Sequence, residues 1–197
     1  MLIFLRKFAV IMEKEKKSIV YHKDVLEFVT VAVQYCLYLE TANSKTRKEF
    51  VDTLLKILPL LYLKGIMLPK LTVSDDNYSE DFVTEENYDI IRSNIAYIMG
   101  EQDDYLDVFV EDMKYSEHPI LMTISENLSD IYQDTKNFIC AYKDATEERM
   151  HDAICLCKEN FEIYWGQKVV NVMRALHDVR YNQENAEEEV DDDYIER

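Results

Sequence analysis

The sequence predicts an all-α protein: a single-domain bundle of about five to six helices, followed by a disordered acidic C-terminal tail. Three observations predict it. Apolar residues recur at spacings of three and four through most of the chain, the period of an amphipathic helix. Only three Gly and three Pro occur in 197 residues, and sheets and long loops need more turn residues than that. Hydrophobic residues make up 48% of the chain, enough to build the buried core of one domain of this length. The boundaries that follow are an N-terminal extension over 1–17, the bundle over 18–183 and the tail over 184–197.

The extension opens MLIFLRKFAVIM and continues EKEKK. Arg6 and Lys7 split its apolar part into two short runs. Neither run reaches the roughly 20 residues that span a bilayer, and an export signal would place its charges first. Residues 1–11 are therefore expected to be an extension ahead of a start at Met12. The first helix is predicted over about Ser18–Ala42, with Val25, Phe28, Val29, Ala32, Cys36 and Leu39 on one face. Thr41–Ser44 is the turn, and Ser44 is the expected N-cap of the second helix. That helix, about Lys45–Leu68, becomes apolar after Phe50 and reads LLKILPLLYLKGIML over Leu54–Leu68. Apolar on all sides, it is the expected buried centre of the bundle. Pro59 should kink it, and Gly65 and Pro69 mark its end.

The third helix is delimited by Thr84 as cap, Glu85 and Glu86 in the first turn and Gly100 as terminator, with Tyr88, Ile91, Ile95 and Ile98 as its core face. Asp103–Ile120 reads as a short helix and a loop. The fourth helix starts near Thr123, with Glu126 completing a capping box, and carries Leu128, Ile131, Thr135, Phe138 and Tyr142. The fifth begins after Thr146 and runs to about Tyr181 on Met150, Ile154, Cys157, Phe161, Trp165, Val169, Val172 and Leu176. Gly166 lies inside it beside the single tryptophan, Trp165. An interior glycine costs about 1 kcal/mol relative to alanine, so a neighbouring helix is expected to cross closely there. Pro59, Trp165 and Gly166 are thus the expected structural positions.

Charge is unevenly placed. Asp75–Glu117 holds fourteen acids against Arg92 and Lys114, a balance of −12, and Glu184–Arg197 holds eight acids against one base, −7. The chain total is −17, so the remainder is +2. Such a balance repels phosphate backbones and argues against nucleic acid and anionic membranes as partners. Cys36, Cys140, Cys155 and Cys157 lie within apolar helical patterns, as free thiols in a reducing cytoplasm do.

The runs FVTVAVQYCLYLE (Phe28–Glu40), LLYLKGIMLP (Leu60–Pro69), VTEENYDIIR (Val83–Arg92), DDYLDVFVEDMKYS (Asp103–Ser116), ISENLSDIYQD (Ile124–Asp134) and YWGQKVVNVMRALHD (Tyr164–Asp178) resemble a bacterial domain-of-unknown-function family, number 5063. The resemblance covers Ile19 to His177. It implies an all-helical cytosolic domain and brings no ligand, activity or catalytic residue with it.

Several constellations approach a metal site. Glu148 and His151 form an E-x-x-H on a helix, the ligand spacing of di-iron bundles, but no second such motif exists. Asp75-x-Asn77-x-Ser79 with Glu86 imitates an EF-hand loop whose obligatory Gly is replaced by Glu80. Glu86-x-x-Asp89 and Glu101-x-x-Asp104 are similar to the magnesium-holding pairs of helical nucleotide pyrophosphohydrolases, in an altered order. Cys155 and Cys157, two apart on a helix, point to different sides and do not chelate. Glu148, His151, Glu86 and Asp89 are the nearest approaches to ligands, and no cofactor or metal is expected. Tyr35, Tyr62, Tyr132 and Tyr142 lie on or beside helix seams, where core packing explains them.

The reading that follows is a non-catalytic cytoplasmic protein-interaction or regulatory module, monomeric or homodimeric. Its partner would be another protein, of basic character. The expected contact patch is Asp103, Asp104, Tyr105, Asp107, Phe109, Glu111 and Tyr115, where acids alternate with aromatics. The alternative is a magnesium- or manganese-dependent hydrolase using clustered carboxylates among Glu86, Asp89, Glu101 and Asp104, which would have to converge in one pocket.

Overall fold

Four threonines start four of the helices. The computed structural model describes residues 18–72, 81–107, 120–143 and 145–183. Thr46, Thr84, Thr123 and Thr146 each sit in extended backbone and accept the backbone N–H three residues on, closing one orphan donor of the first turn. At Thr46 the box is complete, because the Glu49 carboxylate accepts the Thr46 N–H at 3.2 Å. Thr46, not Ser44, is therefore the cap of the second helix; Ala42–Ser44 is a 3-10 turn.

The described helices are α1 (Lys23–Glu40), α2 (Arg47–Met67), α3 (Glu85–Met99), α4 (Ile124–Tyr142), α5 (Glu147–Asn160) and α6 (Gly166–Asp178). The predicted start of the first helix at Ser18 is too early. Ile19–Tyr21 forms a 3-10 turn, His22 is extended, and its Nδ1 accepts the Asp24 N–H at 3.4 Å. A π-turn, Phe161–Trp165, joins α5 to α6, so the predicted fifth helix is one continuous rod with a wide turn in its middle. All eight of its predicted seam residues are buried.

Between α3 and α4, where a short helix and a loop are expected over Asp103–Ile120, the described residues at the two ends are strands, and 108–119 lie outside the described residues. Asp104–Leu106 (β1) pairs antiparallel with Leu121–Thr123 (β2), Tyr105 opposite Met122. Strand Tyr and Leu, extended on either side of an acidic run, satisfy their backbone groups across this pair instead of along a helix. Phe109, Glu111 and Tyr115 lie outside the described residues, as do 1–17, the EF-hand-like Asp75–Ser79 and the tail 184–197.

Helix α4 is the centre of the bundle, packing on α1, α3, α5 and α6, while α1 pairs with α2 and α2 with α6. The sequence pointed to the second helix instead. There Leu58, Leu61 and Gly65 face the core, yet Leu60, Leu63 and Ile66 remain about half exposed. The α2 helix runs unbroken through Pro59, which is exposed and sits beside Leu55, Met173 and His177.

The seam tyrosines behave as predicted and also carry hydrogen bonds. Tyr35 donates to the Leu128 carbonyl at 2.7 Å, Tyr142 to the Val20 carbonyl at 2.6 Å and Tyr132 to the Glu40 carboxylate at 2.9 Å. Each hydroxyl thus ties two elements together without leaving a buried polar atom unpaired. Tyr62 packs on Phe161 at 5.3 Å.

The close helix crossing lies at Gly65, not at Gly166. A Cβ on Gly65 would meet the Phe161 ring at 2.9 Å and the Trp165 ring at 3.0 Å. At Gly166 the obstacle is the helix itself: a Cβ there would run into the Phe161 carbonyl, which already accepts the Gly166 N–H across the π-turn. Below the crossing, buried Lys158 donates from Nζ to the carbonyls of Gly65 (3.2 Å) and Ile66 (3.0 Å). It places a cation on the C-terminal end of α2, where the helix dipole favours one.

Gly65→Ala should therefore destabilise. Overpacking two buried rings costs about 1–3 kcal/mol, against about 1 kcal/mol gained in helix propensity. A lowered midpoint of urea unfolding at unchanged slope is the expected result. A raised midpoint would mean that α2 and the π-turn separate freely.

Candidate functional site

One flank of α4 is polar where its neighbour is apolar. Leu128, Ile131, Thr135 and Phe138 face the core. One residue earlier in each case stand Asn127, Asp130, Asp134 and Asn137, the same three-and-four spacing rotated by one position. Across from them the rod of α5 and α6 presents a matching pair of stripes. Phe161, Trp165 and Val169 enter the core, and Asn160, Tyr164 and Lys168 meet the polar flank. A spacing of four drifts by about 40° per step in an ordinary α-helix. The π-turn widens the helix locally, which keeps both stripes aligned over two steps of four.

The contacts along this seam are specific. Lys168 Nζ lies 2.7 Å from the Asp130 carboxylate, donates to Asn127 Oδ1 at 3.2 Å and sits 4.7 Å over the Tyr164 ring. Tyr88, from α3, donates to Asp130 at 2.7 Å. Asn127 donates to the Tyr105 hydroxyl, which links the seam to β1. Farther along, Asn160 donates to Asp134 at 2.7 Å, and Asn137 Oδ1 accepts the N–H groups of Phe82 and Val83, both at 2.9 Å. Asn137 thereby holds the approach to α3 in place.

Electrostatics divides the two carboxyl groups. Asp130 has Lys168 as its ion-pair partner. Burial pushes the Asp134 carboxyl up to about 6, the carboxylates of Asp130 and Asp81 push the same way, and the Asn160 hydrogen bond opposes them. Burial also raises the Tyr88 and Tyr164 hydroxyls, helped by Asp130, so both remain protonated donors. The Cys157 thiol is likewise held protonated by burial. The seam thus contains fixed donors, one neutralised carboxylate and one carboxyl that titrates near neutrality.

Beside Asp134 the seam opens into a cleft of about 590 Å³. Phe138, Ala141, Ala153 and Ile163 give it apolar walls, and Asp81, Gln133, Asp134 and Asn160 a polar rim.

The residues singled out from sequence are dispersed. Asp103 and Asp107 are buried rather than displayed. Asp103 accepts the Ser125 N–H at 2.8 Å and its hydroxyl at 2.6 Å, so it caps the start of α4. Asn171 donates to Asp107 at 3.3 Å. Asp104 and Tyr105 border a second cleft of about 520 Å³ with Arg174 and His177. Glu86 and Asp89 start α3, while Glu101 and Asp104 follow its end. A helix of that length is about 22 Å long, so the two pairs do not converge. His151 Nδ1 lies 3.3 Å from Asp152, and Glu148 is exposed. Among the described residues, no three His, Cys, Asp or Glu side chains are grouped to hold a metal ion. The seam residues went unread because Asn127, Asp130 and Asp134 look like the solvated edge of an amphipathic helix. The signal for them is their shared period with the apolar stripe.

A family model described as "Domain of unknown function (DUF5063)" matches residues 19–182. No curated protein matches the chain. The crystal structure of protein BF1032 from Bacteroides fragilis is similar, with 49% sequence identity and a TM-score of 0.74 over 83% of this chain and 96% of that one.

Because the Asp134 carboxyl is raised above its ordinary value near 3.8, its contribution to stability is fully present below about pH 4 and is lost as pH rises through about 6. Asp134→Asn removes that loss. The variant's midpoint of thermal unfolding should gain on the wild type between pH 4 and 7 by several degrees, from a free-energy difference of about 1–3 kcal/mol. A difference between the two proteins that stays constant with pH would contradict the assignment.

Proposed function

The chain belongs to the family described as Domain of unknown function (DUF5063), and from that premise we propose that it is a non-catalytic, cytoplasmic interaction module that recognises a basic protein partner through the outer face of α3. One observation carries this reading. Glu86, Ile90, Ser93 and Tyr97 follow one another at spacings of four, three and four, forming an uncovered stripe, and exposed Glu101 lies just past the helix end. Ile90 is 50% exposed and Tyr97 86%. Residues 81–107 carry eight acids against Arg92 alone.

An exposed tyrosine and isoleucine between carboxylates match the anatomy of a small contact surface, with apolar anchors in the middle and charge at the rim. The acids steer a basic partner during encounter, and the apolar pair is what slows its departure. The buried polar seam supports a binding role as well, since its tyrosines and Cys157 are held protonated and supply no activated nucleophile. Among the described residues no helix is long and apolar enough to cross a membrane.

The test is a charge-neutral variant of the exposed face: Glu86→Gln, Asp89→Asn, Glu101→Gln and Asp104→Asn, with Asp103 left to cap α4. Proteins that co-purify with the wild type at about 0.05 M salt should be released at about 0.5 M, where screening acts within about 4–5 Å, and should be missing from the variant. The same partners held equally by both proteins at both salt concentrations would remove the support for this face.

A further inference from the structure

The cleft beside Asp134 has a chemistry of its own, apart from the α3 face. Its rim bears two carboxyl groups, Asp81 and Asp134, and three carboxamides, Gln133, Asn137 and Asn160, and among the described residues no basic side chain lines it. Its walls are the Phe138 and Tyr164 rings, two alanines, Leu156 and Ile163. The volume of about 590 Å³ is that of a site for a small ligand or an inserted side chain. We propose that this cleft binds an organic cation, an alkylguanidinium or alkylammonium group whose aliphatic stem lies along Phe138 and Ala141 and whose charged head meets Asp134, with Asp81 at the entrance.

Three observations support that occupant. First, among the described residues the half-buried Asp134 has no ion-pair partner of its own. Lys168, the cation whose charge acts on it, is already held by Asp130 at 2.7 Å and by Asn127 at 3.2 Å. Second, the geometry leaves acceptors free for a donor-rich head. Asn160 Nδ2 donates to Asp134 Oδ1 at 2.7 Å, which among the described residues leaves Asp134 Oδ2 and the Asn160 carbonyl oxygen for incoming N–H groups. A guanidinium carries five N–H donors in one plane and no acceptor, which suits a carboxylate and a carboxamide oxygen side by side. Third, the walls favour a ligand with a stem: these apolar side chains would be poor company for an inorganic ion.

Binding is linked to protonation. The groups that face the Asp134 carboxyl are Asp130 on its own helix, Asp81 ahead of α3, Asn160 and the protonated Cys157 thiol on α5, the Tyr164 hydroxyl on the π-turn and Lys168 on α6. With the carboxyl held up at about 6, a cation arriving at lower pH must displace its proton. Affinity should therefore rise with pH by about tenfold from pH 5 to 7 and then level off.

The experiment titrates the full chain with n-butylguanidinium, with the neutral isostere n-butylurea and with N-acetyl-arginine methylamide, following side-chain amide and alanine methyl resonances by NMR. The proposal predicts saturable shifts of the Asn160 and Gln133 amides and the Ala141 methyl with a Kd of about 1 mM or tighter for butylguanidinium at pH 7.5, and at least tenfold weaker butylurea. Asp134→Asn should weaken butylguanidinium about tenfold or more while remaining folded, since the same change is expected to raise stability. Ala141→Leu, which fills the floor and leaves every charge in place, should weaken it comparably. Saturation by the arginine derivative would identify a residue within a chain as an accepted ligand, and saturation by butylguanidinium alone would identify a free small molecule; both support the site. Shifts that stay linear to about 50 mM, equal binding of butylurea, or an unchanged affinity in Asp134→Asn would each overturn it.

Discussion

The arrangement of this protein depends on how the rod from Glu147 to Asp178 makes its wide turn at Phe161–Trp165. That turn sends two large rings, Phe161 and Trp165, into the same space over Gly65, 4.8 Å apart and edge to face. Trp165 is fully buried, faces Phe28 at 6.1 Å, and satisfies its indole N–H on the Cys157 carbonyl at 3.3 Å. Removing such a ring from a core costs about 3–5 kcal/mol, a large part of the stability of any single domain. Two of the chain's three glycines serve this one place. Gly65 clears room on the neighbouring helix, and Gly166 clears room for the turn's own carbonyl.

The same turn sets the candidate site. Asn160, Tyr164 and Lys168 stand one position before Phe161, Trp165 and Val169, so whatever aligns the core stripe also aligns the polar one. If the rod were regular, the drift accumulated over the two spacings of four from Asn160 to Lys168 would be about 80°, and Lys168 would leave Asp130. Packing and electrostatics are therefore coupled through a single backbone feature. Asp130 keeps its cation because Trp165 keeps its place, and Asp134 is left with a carboxamide partner beside an open cleft. Wide helical turns of this type recur where a side chain must be re-aimed.

Much of the fold could be read from the sequence, because period and caps are local signals. Thr84, Thr123 and Thr146 were identified as helix starts, and the seam Met150 to Leu176 is buried throughout. The resemblance to a domain-of-unknown-function family over Ile19–His177 agrees with the match over 19–182. What was missed is non-local. The run of apolar residues in α2 looked like a buried centre, but burial depends on what packs outside it, and Leu60, Leu63 and Ile66 have water there. The β1–β2 pair joins residues 15 to 19 apart, which no helical period reveals. Gly166 was recognised as a site of close approach, yet its obstacle belongs to its own helix. The clue was in the spacing: Cys157, Phe161, Trp165 and Val169 follow at four, four and four, one step too regular for an α-helix. Asp130 and Asp134 were passed over because a polar flank next to an apolar stripe is ordinary; only the tertiary structure shows that flank to be covered.

The measurement that most directly tests the role of the wide turn is the stability of Gly166→Ala. In a regular helix interior this substitution stabilises by about 1 kcal/mol. Here the new methyl group meets the Phe161 carbonyl within the turn, which cannot yield without moving the rings on Gly65. The account predicts a net loss of about 1–3 kcal/mol in chemical denaturation, together with altered near-ultraviolet dichroism from Trp165. A gain in stability, with the tryptophan signal unchanged, would show that the rod is a regular helix at Gly166 and contradict the account.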